Sequence, residues 1–521
     1  MSEPPFTTLI VDARVYAPGY PGATSVALGP DGITWMGSSA ELPAVDPSTT
    51  RVVHAEGRLL TPGFVDAHVH ATNTGLSLIS LDVTDVCSAL ELLERIDGYG
   101  VRHPGSMIIG HGWDETRWAH SDLPSLDAID RAARGVPVYL SRIDVHSALV
   151  SRALTKALPA LEGVPGFSPN SPVVSRQAHG VARTHALASI DTEMRTRAQR
   201  AFRAHAAARG VVAVHEMAGP AISGEEDTRA LVSLASAEPG PDVFVYWGEL
   251  ASRGGIERAR SLGAIGVGGD LFLDGALGSR TAALHAGYAD DPSNTGALYV
   301  TFEETVDHVV QCTRAGMQAG FHVIGDRACD TVTDALLTAS RELPDGTMQA
   351  LRHRLEHAEM LSDAALDALP GLGVIASMQP LFDELWAGPG GMYEQRLGQA
   401  RAHAMNRWGS ALRRGATVAI SSDCPVTELS PWAQIRAAMS HHDPSERLTR
   451  DDAVTAHSRA GWEAVGEGRS GEIRPGFRGD VALWDADLDG ALPVVDPSAS
   501  LPTCVATWVR GVWVHGTDLA A

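Results

Sequence analysis

Five polar residues recur at one kind of place in this chain, the end of an apolar run that reads as a β-strand. Asp66-Ala-His68-Val-His70 closes the run Leu59-Leu-Thr-Pro-Gly-Phe-Val. Residues i and i+2 of a strand share a face, so both imidazoles point the same way. Such a pair alone is more often two half-buried strand histidines than a site. The position recurs, however, in Phe321-His322-Val-Ile-Gly-Asp326, in Arg354-Leu-Glu356-His357, and in Ile420-Ser-Ser-Asp423-Cys-Pro425. Four imidazoles (His68, His70, His322, His357) and the carboxylate of Asp423, converging from strand ends, make a ligand set for a borderline divalent metal, most often Zn²⁺.

Several further polar residues are candidates to shape a pocket around that metal. His215 and Glu216 end another apolar run and could orient a ligand imidazole; a satisfied strand end is at least as common. Arg280 follows the Asp274-Gly loop and could clamp a substrate carboxylate, although a lone arginine there is more often structural. Between residues 71 and 205 the chain offers His111, Trp113, Asp114, Trp118 and Asp144-Val-His146. Trp113, Asp114 and His146, with His215 and Arg280, are the expected substrate-binding residues. Aromatic side chains facing a metal would suit an organic substrate.

The elements that must position these residues follow a regular pattern. Apolar strand-like runs fall at Gly63–His70, Val211–Met217, Val243–Glu249, Gly268–Asp274, Gly320–Gly325, Arg352–His357, Gly373–Gln379 and Ala416–Ser422. Helical patterns separate them. Thr301-Phe-Glu-Glu304 is a capping box that opens one such helix, and Thr449-Arg-Asp-Asp452 opens another. Eight strands, each followed by a helix, predict a (β/α)₈ TIM barrel, whose sites lie at the strands' C-terminal ends. The gap from His70 to Val211 is too long for one connection, so residues 71–205 are expected to form an inserted lobe over the barrel mouth, with a helix at Leu90–Ile96 and a strand at Val138–Ile143. Residues 1–60 and 466–521 read as short strands and turns, neither able to bury much core alone. Both ends are expected to pair into one composite β-sandwich domain, leaving residues 61–465 as the barrel.

Composition narrows the function. The 521 residues are 44% hydrophobic and 20% charged, ordinary globular values. A net charge of −22 argues against a general nucleic-acid or anionic-membrane binder. No run reaches the length of a membrane span, and the first residues lack a basic and apolar leader. Five scattered cysteines fit reduced cytoplasmic thiols better than a disulfide framework. Lys156 is the sole lysine among 41 basic residues, so almost no site can use one.

The ordered motifs Pro62-Gly-Phe-Val-Asp-Ala-His68-Val-His70, Gly112-Trp-Asp-Glu115, Asp274-Gly-Ala-Leu-Gly-Ser-Arg-Thr281, His322-Val-Ile-Gly-Asp326, Arg354-Leu-Glu-His357, Ser377-Met-Gln-Pro380 and Ser422-Asp423-Cys-Pro425 span nearly the whole chain. In them the sequence resembles the amidohydrolase superfamily, and within it the N-substituted formamide deformylase-like metal-dependent hydrolases. The resemblance implies a barrel with a composite β-sandwich, metal ligands at His68, His70, His322 and His357, and Asp423 as ligand and catalytic base. One departure stands out. Many members carry a lysine four residues before the Asp-Gly of the fourth strand, and its carbamate bridges two metals; here that residue is Asp270. A carbamylated lysine is therefore not expected. Asp270 either binds metal itself or only hydrogen-bonds nearby, and the site holds one or two ions.

The implied activity is hydrolysis of an amide-type C–N bond, with an N-substituted formamide as one candidate, in a small-molecule substrate; a homodimer is a candidate assembly. A deaminase of the same superfamily, with Asp326 or Glu216 as extra proton donor, is the alternative. A non-catalytic metal-binding or regulatory protein is a further one, against which the presence of Asp423 beside all four histidines counts.

Overall fold

The computed structural model describes residues 6–46, 48–115, 118–120, 122–143, 147–220, 222–490, 492–493 and 495–516. The chain divides into two compact units, Met1–His70 with Arg203–Ala521, and Ala71–Phe202.

In the first unit, eight parallel strands form one sheet in chain order. They are β1 (Phe64–Val69), β2 (Val211–Ala218), β3 (Asp242–Trp247), β4 (Gly266–Val267), β5 (Gln318–Val323), β6 (Arg354–His357), β7 (Ile375–Met378) and β8 (Thr417–Ile420). β1 and β8 meet through a single parallel bridge, Val69 to Cys424. Two backbone bonds flank it: His70 N–H donates to Cys424 O at 3.0 Å, and Asp423 N–H to His68 O at 2.9 Å. The closure thus ties His68, His70 and Asp423 to one another through the main chain. Helix α1 (Phe302–Arg314) begins at the expected capping box: Thr301 Oγ accepts from Glu304 N at 3.2 Å, and Glu304 Oε2 accepts from Thr301 N at 2.9 Å.

The fourth strand corrects the sequence reading. The run Gly268–Asp274 is not a regular strand; only Gly266–Val267 is. Gly268 and Gly269 adopt φ of +147° and +77°. A Cβ on Gly268 would lie 2.3 Å from the Gly320 backbone of β5. Only glycine can pass there, so the chain leaves the ladder, carries Asp270 aside, and touches β5 again through the bridge of Phe272 to His322.

The chain ends meet in two sheets of this unit. Thr8–Val11 pairs with Ser25–Gly29 and Arg51–His54, with Gly32–Gly37 outside. Leu59–Pro62 pairs antiparallel with Val481–Asp485, which pairs in turn with Thr503–Val509. Ile10, Val26, Leu28 and Val53 of the first sheet share one buried cluster with Leu60, Val481, Leu483 and Trp508 of the second. Neither terminus could bury those side chains alone, and apolar burial of this size is the main force joining them.

The second unit has its own five-stranded sheet, in the order Val173–Ser175, Ser147–Val150, Val138–Arg142, Ile108–Trp113, Leu81–Asp82. A helix, Ala89–Arg102, packs Leu92 and Ile96 into a core with Ile108, Val138 and Leu140.

Candidate metal centre

The strand-end residues converge. His68 Nε2 lies 3.6 Å from Asp270 Oδ1 and 3.4 Å from Asp423 Oδ1. His70 Nε2 lies 3.2 Å from Asp270 Oδ2 and 3.2 Å from Asp423 Oδ1. His322 Nδ1 and His357 Nε2 lie 3.5 and 3.7 Å from Asp270 Oδ1. Two triplets, His68–His70–Asp423 and His68–Asp270–His357, have their ligand atoms mutually within 4.8 Å. Asp270 is therefore central: Oδ2 faces His70, while Oδ1 faces His68, His322 and His357. The glycine kink after β4 explains its reach, since a regular strand would have left its short side chain on the barrel wall.

The donors fit a divalent cation. His68 Nε2, Asp270 Oδ1 and His322 Nδ1 are buried and make no hydrogen bond. Buried polar atoms are rarely left so, because each forfeits its hydration. Tetrahedral ligands about 2.0–2.1 Å from zinc stand roughly 3.3 Å apart, close to the spacing found. His357 and Asp423 also adopt left-handed backbone, φ +68° and +54°, costing about 1–2 kcal/mol each and turning their side chains out of the ladder.

A second ring of partners fixes the imidazoles. His68 Nδ1 donates to Glu356 Oε2 at 3.0 Å. Arg354, fully buried, holds that carboxylate through Nε to Oε1 at 2.8 Å and Nη2 to Oε2 at 3.1 Å. Arg354 Nη1 also donates to His215 Nδ1 at 2.8 Å. His357 Nδ1 donates to Gln379 Oε1 at 2.9 Å, and Gln379 Nε2 donates to Ser421 Oγ at 2.9 Å. His322 Nε2 donates to Gly275 O at 3.3 Å. In each ring the outer nitrogen carries the proton, which leaves the inner one its lone pair. Asp274, also buried, accepts from the amides of Ala283, Ile324 and Gly325 at 2.8, 3.0 and 2.8 Å, pinning the Gly275 loop to the end of β5.

Electrostatics point the same way. Burial depresses the pKa of His70, but the hydrogen bonds and charges of Asp270 and Asp423 outweigh it and raise it to about 9. His68 and His322 rise for the same balance of causes. Burial would raise Asp270, yet the charge of His68 and the contacts of His322 and His357 hold it well below the carboxylate range. Burial likewise opposes ionisation of Glu356, and Arg354 with His68 brings it down to about 2. The cluster attracts positive charge, which protons or a cation can supply.

The other expected residues are placed less centrally. His215 is fully buried beside Arg354, and that burial, with the Arg354 charge, drives its pKa well down. Arg280 is engaged by Asp290, Nε to Oδ1 at 3.0 Å and Nη2 to Oδ2 at 2.7 Å. Asp326 accepts from the amides of His285 and Arg327 at 2.9 and 2.8 Å. In the second unit Trp113 is 2% exposed, packs in the core with Trp118, and donates Nε1 to Leu140 O at 2.9 Å. Asp114 accepts from Arg142 Nη2 at 2.8 Å. His146 lies outside the described residues. Glu356 and Gln379 stood within quoted motifs but without a role. Glu356, directly before His357 and two residues after Arg354, carried the only available signal.

Comparison with known proteins bears on the family and the fold. The chain is 27% identical to the protein LONG AFTER FAR-RED 3 of Arabidopsis thaliana, over 94% of this chain and 88% of that protein. It is 22% identical to an N-substituted formamide deformylase of Arthrobacter pascens, over 89% of this chain and 90% of that one. An uncharacterized metal-dependent hydrolase of Pyrococcus furiosus superposes with a TM-score of 0.76 at 25% identity, covering 92% of this chain and 99% of its own. A sequence profile described as the amidohydrolase family matches residues 51–515. With its eight-stranded barrel and its His/Asp cluster, the chain belongs to the amidohydrolase family.

Proposed function

We propose that the protein hydrolyses an amide-type C–N bond of a small organic molecule, an N-substituted formamide being one candidate. The observation that carries this reading is the convergence of His68, His70, His322, His357, Asp270 and Asp423 at the strand ends. Those six would hold one or two divalent cations, zinc being the best match to the imidazole and carboxylate donors. When bound, such a cation supplies Lewis acidity that polarises a carbonyl and acidifies water.

Asp423 is the general base of this reading. It is mostly buried, its Oδ1 faces both histidines of the first strand, and its backbone is anchored to His68 O. A water oxygen attacks the carbonyl carbon while Asp423 takes its proton. As the C–N bond breaks, Asp423 returns that proton to the departing nitrogen. Water and amide thus become carboxylic acid and amine. Asp270 offers its two oxygens on two sides and holds the sequence position of the lysine whose carbamate serves many members; it needs no carbon dioxide, so activity is independent of bicarbonate. If Asp270 serves mainly one cation, a second is held weakly.

A screen of zinc-loaded protein against simple amides and amidine-like ring substrates tests the reading. Release of carboxylate and amine supports it. Release of ammonia alone makes the protein a deaminase, and no turnover of either class with metal bound makes it a binding protein.

A further inference from the structure

Apolar surface lies against the metal-ligand cluster. Phe272 follows Asp270 by two residues, and its ring centroid is 4.7 Å from that of His322. Yet Phe272 is 37% exposed, although it sits beside ligands that are almost wholly buried. On another side, Phe382 lies parallel to the His357 ring, 8° between planes and 6.0 Å between centroids, and Trp386 is 4.6 Å beyond it. Val426, 38% exposed, donates its amide to Asp423 O at 2.8 Å. So the segments carrying Asp270 and Asp423 each bring an exposed apolar side chain with them, and the helix that follows the seventh strand lays Phe382 on His357. Arg280, the cation that could meet a substrate carboxylate, is held by both oxygens of Asp290.

An exposed aromatic ring resting on a buried polar centre offers apolar area that an apolar group of a ligand can cover. We propose that Phe272 forms a subsite for an uncharged aryl or alkyl substituent of the amide and is the specificity-determining residue. This rests on the metal-centre reading above. The substituent lies against the Phe272 ring while the amide carbon faces the strand ends, and offset or edge-on ring packing favours an aryl group.

The test uses hydroxamates, which chelate zinc and need no turnover. Zinc-loaded protein is titrated calorimetrically with benzohydroxamic acid, acetohydroxamic acid and the monohydroxamate of succinic acid. The benzo compound is expected to bind about ten-fold tighter than either of the others, the scale of one hydrophobic-pocket contact. Phe272→Ala should abolish that ratio and Phe272→Leu should reduce it, with zinc content unchanged in both. Equal affinities, a preference for the carboxylate-bearing compound, or an unchanged ratio in either folded variant overturns the subsite while leaving the metal centre standing. Failure of all three to bind, or of zinc to bind, overturns the metal centre and the subsite with it.

Discussion

At the scale of single residues, two carboxylates separate by role. Asp423 faces the inner nitrogens of His68 and His70, while Glu356 faces the outer nitrogen of His68. Asp423→Asn keeps the shape but cannot accept a proton, so turnover should fall about 10²–10⁴-fold with the melting temperature little changed. Activity within a few-fold of the parent would assign the base elsewhere. Glu356→Gln leaves Arg354 buried beside a neutral partner and loosens His68. Zinc affinity should drop about 10–100-fold, measured by competition with a chelator; unchanged affinity would make Glu356 a purely structural partner. The convergence of these residues was legible in the sequence because each of the four histidines and Asp423 ends an apolar run. Glu356 and Gln379 were not assigned roles, because an orienting partner is defined by a neighbour far off in sequence: 288 residues separate His68 from Glu356.

Elements decide whether those residues meet. The Gly268-Gly269 kink places Asp270, and the sequence reading extended a strand straight through it. The apolar run Leu271-Phe272-Leu273 mimics a strand, but the positive φ values of Gly268 and Gly269 take the chain out of the ladder before it. Gly268→Ala should destabilise the protein by at least about 2 kcal/mol through backbone clash and strain, whereas Gly254→Ala, where no atom lies within 4 Å but φ is +89°, isolates the conformational part. Equal melting temperatures for the two variants would remove the close approach to Gly320 as the cause. Helix α2 (Pro380–Trp386) presents Phe382 to His357 and is anchored by Asp383, whose Oδ1 meets His442 Nδ1 at 2.6 Å. His442 Nε2 lies 3.2 Å from His403 O, so both ring nitrogens face acceptors. Partial burial lowers the His442 pKa, but Asp383 outweighs it and the net shift is upward. A raised folded-state value means that stability is fully present below the unfolded value, about 6.5, and is lost as pH rises through the folded one. His442→Gln should therefore cost about 1–3 kcal/mol near pH 6 and clearly less at pH 9. A cost independent of pH would show that the ring is not held as an imidazolium.

Over the whole molecule, the barrel and the pairing of the two chain ends were legible because each follows from burial: eight apolar runs need one another, and neither terminal segment has a core of its own. The intervening unit was visible mainly as a gap. Its five-stranded sheet pairs short strands in an order that no local pattern dictates, and the boundary drawn at residue 205 falls at Phe202. Trp113, expected to face substrate, is packed in that unit's core, which an aromatic residue in a motif cannot announce. No helix among the described residues is long and apolar enough to cross a membrane. The central claim concerns the cation. Purified protein is loaded with zinc, dialysed, and analysed for metal per chain, in parallel with the His68→Ala/His70→Ala double variant and with Asp270→Ala. The account predicts about one tightly held equivalent or more in the parent, near-complete loss in the double variant, and a smaller loss, from the weaker site, in Asp270→Ala. Metal content that is the same in the parent and the folded double variant would contradict it.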